Sequence, residues 1–89
     1  MTSEASRKVR FTKHAKQKFT LLRRYGFDIP EASVTDAVTN PARVDPRDDQ
    51  LLALKPLNRE YAIRVVYRIV NDHIVVVTFY PVKRERFNV

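Results

Sequence analysis

Apolar residues along this chain follow two periods in turn. From residue 11 to residue 22 they fall at Phe11, Ala15, Phe19 and Leu22, the i, i+4, i+8, i+11 spacing of a helix with one apolar face. Thr12 stands where that helix begins, and its hydroxyl suits the N-cap position, where it can accept a backbone N–H that the first turn leaves free. Gly26, the only glycine, stands where the helix should end and suits a left-handed C′ position. Arg23 and Arg24 fall in the last turn, where the helix dipole favours cations. A second helical stripe follows at Ile29, Val34, Ala37 and Val38. Asp28 reads as its N-cap and Asp28 with Glu31 as a capping box, with Pro30 in the first turn, where its missing N–H costs little. Asn40-Pro41 stops it.

Beyond Pro41 the period shortens to two. Ala42–Asp45 reads as a short strand, the run 46–49 as turn chemistry, and Gln50–Lys55 as a further strand that Pro56 ends or marks as an edge. Tyr61–Val70 alternates, with Tyr61, Ile63, Val65, Tyr67 and Ile69 on one side and Ala62, Arg64, Val66, Arg68 and Val70 on the other. Ile74–Tyr80 is apolar on both faces and rich in β-branched residues, as a central strand would be. Val9–Phe11 is a candidate short first strand. The pattern predicts an α+β fold, with two N-terminal helices packed on one face of a small, mainly antiparallel sheet of about four strands joined as a meander. Residues 1–8 read as a flexible basic N-terminus, 9–89 as a single domain, and the stretch from Pro81 as a basic tail.

Helices on one face leave the other partly open, and Arg64 and Arg68 are expected there. The register of the last hairpin has two solutions. A two-residue turn at Asn71-Asp72 sets Arg68 opposite Val75 and Arg64 opposite Phe79. A three-residue loop that includes His73 sets Arg68 opposite Val76 and Arg64 opposite Tyr80. The second buries fewer charges and is preferred. It places Arg64, Arg68, Thr78 and Tyr80 on one face and Tyr61, Ile63, Val65, Tyr67, Val75, Val77 and Phe79 against the helices.

Composition narrows the function classes. With 89 residues the chain has room for one core, and without cysteine it has no disulfide or thiolate metal site, so a reducing, cytoplasmic location is expected. The longest apolar runs are strand-sized, which predicts no membrane span and no membrane partner. Net charge is +7, spread as +7 over residues 1–25, −3 over 26–60 and +3 over 61–89. Basic ends of this kind favour a polyanion, since Lys and Arg gain affinity by releasing counterions from phosphates. Two histidines without clustered carboxylates do not make a metal centre, and His73 reads as a turn residue. His14 lies in a row with Lys18, Leu21 and Tyr25, next to the apolar row of the first helix. It reads either as a neutral imidazole at the border of the buried face, bonded to a sheet or loop carbonyl, or as a base or RNA-stacking group.

The run IRVVYRIVNDHIVVVTFYPVKRER, residues 63–86, resembles the C-terminal sheet of the RelE/ParE toxin superfamily. Arg64, Tyr67, the run Val75–Val77 and Lys83-Arg84-Glu85-Arg86 correspond to that family's Arg-x-x-Tyr strand, Val-rich strand and Lys-Arg-x-Arg tail. The front half, from Phe11-Thr12-Lys13-His14-Ala15 to Asn40-Pro41, is similar to small uncharacterised domains of the same superfamily. The resemblance implies a toxin-like protein of a toxin–antitoxin system that binds RNA or the ribosome, acts as a metal-independent endoribonuclease without a cofactor, and is held in check by a cognate antitoxin, as a monomer or homodimer. By position it implies Arg64 and Arg84 as phosphate-binding arginines and Lys55 as a base, with His14 added as a catalytic candidate on the residue reading above. Together with the open sheet face and the basic tail read above, this makes Arg64, Arg68, Tyr80, Lys83, Arg84 and Arg86 the expected nucleic-acid contacts. The tyrosine that RelE-type nucleases often carry four residues after the Arg-x-Arg pair has no counterpart in this sequence, and Phe87 has no phenol to move a proton. Two further readings keep the fold without the chemistry: a non-catalytic nucleic-acid-binding module, and a protein-interaction domain whose sheet edge or groove receives a partner segment.

Overall fold

Thr12 opens the first helix as its spacing predicts, and from it the architecture unfolds in chain order. The structure is a computed structural model and describes residues 7–89. The expectation of a loose N-terminus therefore falls mostly on residues outside the described ones. Arg7 and Lys8 are placed: Arg7 pairs with Asp72 at 3.2 Å, and the Lys8 carbonyl accepts from the Ile74 N–H. The elements are β1 (Val9–Phe11), α1 (Lys13–Arg24), α2 (Glu31–Thr39), β2 (Arg43–Arg47), β3 (Gln50–Pro56), β4 (Tyr61–Val70), β5 (His73–Lys83) and α3 (Arg84–Phe87). The sheet has the order β1-β5-β4-β3-β2. β1 runs parallel to β5, and every other pair is antiparallel. The fold is thus α+β, with a five-stranded mixed sheet and a third, one-turn helix where about four antiparallel strands and two helices were expected. β1 makes the fifth strand, and the basic tail from Arg84 coils into α3 instead of extending.

Capping explains where α1 starts and stops. The Thr12 side chain accepts from the Ala15 N–H at 3.1 Å and donates to the Val77 carbonyl at 3.2 Å, while the Thr12 N–H reaches the Val76 carbonyl at 3.0 Å. One residue therefore caps the helix and pins it to β5. Thr12→Ala removes both side-chain bonds and is expected to cost about 1–2 kcal/mol, read as a lower midpoint in urea with an unchanged m-value. At the far end Gly26 takes φ of 90°, Gly26 N–H bonds to Arg23 and Phe27 N–H to Leu22, which closes the helix in a Schellman motif. The N-terminus of α2 differs from the expected capping box. Pro30 is the N-cap, no side chain caps the turn, and Asp28 instead lies 3.6 Å from Arg23. A proline at that position fixes the extended entry of the chain without a side-chain acceptor.

Both helices lie on one sheet face. Ala15, Leu22, Ile29, Val34, Ala37 and Val38 pack with Ala53, Ile63, Val65, Tyr67, Ile74, Val76 and Phe79. Phe19 bridges the layers, with ring centroids 5.7 Å from Phe11 and 4.6 Å from Phe79. Burial raises the pKa of the Tyr67 phenol, with the charge of Arg7 opposing the shift. A phenol whose pKa is raised on folding contributes stability below its unfolded pKa, near 10.0, and loses it as pH rises through the folded value. Tyr67→Phe is expected to blunt the alkaline fall in stability above pH 10, measured as denaturation midpoints of both proteins across that range.

The last hairpin combines the two registers that its sequence allows. Its turn is the two residues Asn71 and Asp72, both at positive φ (48° and 67°), the geometry of a type I′ turn. Arg68 accordingly faces Val75. A bulge then leaves Val77 unpaired between Tyr67↔Val76 and Val66↔Thr78, so Arg64 faces Tyr80. The expected three-residue loop and the placement of Val75 and Val77 against the helices are corrected: Ile74 and Val76 fill the core there. The physical reasons are the two-residue turn, which sets this register, and β1, whose Val9 and Phe11 pair with Ile74 and Val76 on the same inner face.

Candidate nucleic-acid interface

Strand alternation decides where the arginines go. Val9 and Phe11 pack into the core, so Arg10 between them points to the opposite face. Arg64 lies between core residues Ile63 and Val65, and Arg68 follows Tyr67. Arg43 pairs with Leu54, which in turn pairs with Arg64, and Arg47 shares the phase of Arg43. All five strand arginines therefore stand on the face away from the helices. Among the described residues, Asp45 is the only acidic one in any of the strands.

One row crosses this face from edge to edge: Arg43, Leu54, Arg64 and Tyr80, on β2, β3, β4 and β5. At the usual strand separation the row spans about 14 Å. Aromatic rings interleave with its cations. The Arg64 guanidinium lies 5.1 Å from the Phe87 ring centroid, and Arg43 Nη1 donates to the Phe87 carbonyl at 3.1 Å. At the other end Lys18 reaches round from α1, its Nζ 5.9 Å from the Tyr80 ring centroid and 3.5 Å from Thr78 Oγ1. The row thus reads Arg43, Phe87, Arg64, Tyr80, Lys18. Beneath it Leu52, Leu54, Ala62 and Val66 are buried, so the cations stand on an apolar floor.

Few acids neutralise the face. Arg43 pairs with Asp45 at 3.2 Å and Arg68 with Asp49 at 3.8 Å, both through side chains that stay substantially exposed, and such pairs hold their partners weakly. Arg10, Arg47 and Arg64 have no ion pair among the described residues. A cationic face with two accessible rings and little internal compensation can take phosphates on its guanidinium groups and bases on its rings.

The residues singled out from sequence divide. Arg64, Arg68 and Tyr80 stand on this face. Arg84 lies beside it but is spent on the fold: its Nε donates to the Val89 oxygen at 3.0 Å and its Nη1 to the Asn58 carbonyl at 2.8 Å, which ties α3 to the β3–β4 connection. Lys83 is on the helix side of the sheet. It is bonded to Glu60, which raises its pKa above the ordinary lysine value, and it lies 5.1 Å from the Tyr61 ring. Arg86 is exposed on α3. Lys55 pairs with Ile63 in register, so it too faces the helices, and its Nζ is 2.6 Å from Asp36. Lys55, expected as a base, and Arg64, expected as a phosphate contact, are therefore on opposite faces of the sheet. His14 is exposed and makes no hydrogen bond among the described residues, which corrects its expected place at the border of the core. Only Ala15 and Leu22 of α1 are buried, and His14 is turned about 100° from Ala15, outside so narrow a stripe. Lys18, one turn on, is the member of its row that reaches the sheet.

Arg10, Arg43, Arg47, Lys18 and Phe87 join the face without having been singled out. The signal was present for the arginines, which each fall out of phase with the apolar residues of their strands. Among the described residues no group of His, Asp and Glu is arranged to hold a metal ion, and no helix is long and apolar enough to cross a membrane. Comparison with known protein families, with curated proteins and with solved structures finds no match to this chain.

Proposed function

We propose that this chain binds single-stranded RNA on the arginine-bearing face of its sheet, as a toxin-like protein of the RelE/ParE type whose partner is an antitoxin. The observation that carries this reading is the gathering of five strand arginines on one face, three of them without an acidic partner among the described residues. The resemblance of residues 63–86 to RelE-type toxins supports RNA as the polyanion. An antitoxin would act by covering the same face with an acidic segment. The arrangement favours grip over cleavage, because Lys55 is bound to Asp36 across the sheet and Arg84 is engaged by two carbonyls. Cleavage is a second reading that rests on Tyr80, the phenol set directly opposite Arg64. In that case Tyr80→Phe abolishes strand scission and leaves binding in place.

The test is fluorescence anisotropy with a labelled single-stranded RNA over a salt series. Six cations engaged (Arg10, Lys18, Arg43, Arg47, Arg64 and Arg68) predict a slope of log K against log salt of about −4, a loss of roughly 300-fold in affinity between 50 and 200 mM salt. Absence of binding at 50 mM salt, together with unimpaired growth on expression, would overturn the reading.

A further inference from the structure

Phe87 belongs to two surfaces at once. Arg64 covers one side of its ring, at 5.1 Å from the centroid, and the rest of the ring lines a cleft of about 530 Å³ with Phe27, Tyr61, Pro81, Val82, Lys83 and Arg86. The cleft lies at the end of the sheet, under α3. Its depth is apolar: Phe27 meets Tyr61 edge-on at 5.1 Å, and Pro81 and Val82 lie beside them. Its charged lining is wholly cationic. Lys83 is held by Glu60, whereas Arg86 is exposed with no ion pair among the described residues. The neighbouring concavity, lined by Arg59, Glu60, Lys83 and Glu85, carries two acids and two cations and offers an anion no net attraction.

We propose that the Phe27–Tyr61–Phe87 cleft is a nucleobase pocket, which receives one base of a strand lying on the arginine face while Arg86 holds the phosphate beside that base. The inference rests on the RNA-binding reading above and names where the strand leaves the sheet. Three features select the occupant. The volume falls in the range of small-ligand sites and suits a nucleotide. A floor of aromatic rings and proline takes a flat ring by stacking, whatever the base. A rim with an unpaired guanidinium and no acid selects a ring that carries an anion over a neutral one. Phe87 joins the two surfaces: a base against its open side completes a stack that begins with Arg64, so pocket and arginine row are continuous.

The experiment is a proton NMR titration of the full chain with adenosine 5′-monophosphate, followed at the ring resonances of Phe27, Tyr61 and Phe87. The expected result is saturable shifts on those three rings, reduced at least about fivefold in apparent affinity for adenosine and for the Arg86→Gln protein, and absent with inorganic phosphate. Arg86 is exposed on a one-turn helix, so its replacement leaves the fold intact. A short labelled RNA should lose about tenfold in affinity with Phe87→Leu, and an abasic site at one position should reproduce that loss in the unaltered protein. Unshifted rings while the RNA still binds the sheet face would overturn the pocket and keep the RNA-binding reading. Shifts that are stronger with N-acetyltryptophanamide than with the nucleotide would also overturn it, since they would mark a site for a protein side chain. Failure of the RNA to bind at all would strike the functional reading, and the mononucleotide titration reports on the pocket independently.

Discussion

Replacing Arg43 and Arg64 together by glutamate is expected to lower affinity for single-stranded RNA by at least about 100-fold at moderate salt. Each arginine supplies a charge-assisted bond of about 1.5–3 kcal/mol, and each reversal adds repulsion where attraction stood. The two flank Phe87 and Leu54 in the central row, so a strand crossing the face cannot avoid them. The same substitutions should flatten the salt dependence, by about 0.7 in slope for each phosphate no longer neutralised. Lys13→Glu with Lys16→Glu is the matched control. It reverses two exposed charges on α1 and should change affinity by less than about threefold, so an equal effect from that variant would mean that net charge alone drives binding. Arg43 also holds the Phe87 carbonyl, and far-ultraviolet circular dichroism of the double variant checks that the fold survives.

Phe79→Ala is expected to destabilise the domain by about 3–5 kcal/mol, read as a shift in urea midpoint or as failure to fold. Phe79 is 0 % exposed and is among the largest fully buried side chains. It is reached by Phe19 from the helix layer and packs at the centre of the cluster that holds α1 and α2 to the sheet. A chain of 89 residues has one core and typically about 5–13 kcal/mol of net stability, so the loss takes a large share of it. Phe79→Leu keeps most of the volume and should cost clearly less. A small effect of Phe79→Ala would mean that the layers are held elsewhere.

Much of this fold was legible in periodicity. The helical stripe from Phe11 to Leu22, its Thr12 cap and its Gly26 stop are written in residues that act within one or two turns. So is the alternation of β4, which turned Arg64 and Arg68 away from the helices. What escaped depends on distant partners. Asp28 carries the signature of a cap, yet Arg23 claims it, and sequence does not rank the two partners. The tail reads as a basic extension because the carbonyls that receive Arg84 belong to Asn58 and Val89, one of them 26 residues earlier. Lys55 was expected as a base only from a resemblance counted along the chain, but register sends it to the other side of the sheet from Arg64. The site as a whole was visible only in part, because the phase of Arg10, Arg43 and Arg47 is written in their own strands, whereas the strand order that brings the five arginines onto one face is set by long-range pairing.

The three residues of β1 have a role out of proportion to their length. Ile74–Val77 is apolar in either phase, so hydrophobicity does not choose which of its residues face inward. Beyond the bulge the chosen register and its rival share every pair from Val66↔Thr78 onward. Hydrophobicity thus leaves the hairpin tip undecided, and the choice falls to the type I′ turn at Asn71-Asp72 together with Val9 and Phe11, which pair with Ile74 and Val76. β1 acts as a key. It is made before β5 in the chain and is paired with the inward phase of Ile74 and Val76, which it holds in place from the sheet edge. A change in those first residues would be felt more than 60 positions away, in a hairpin whose register then rests on its turn alone.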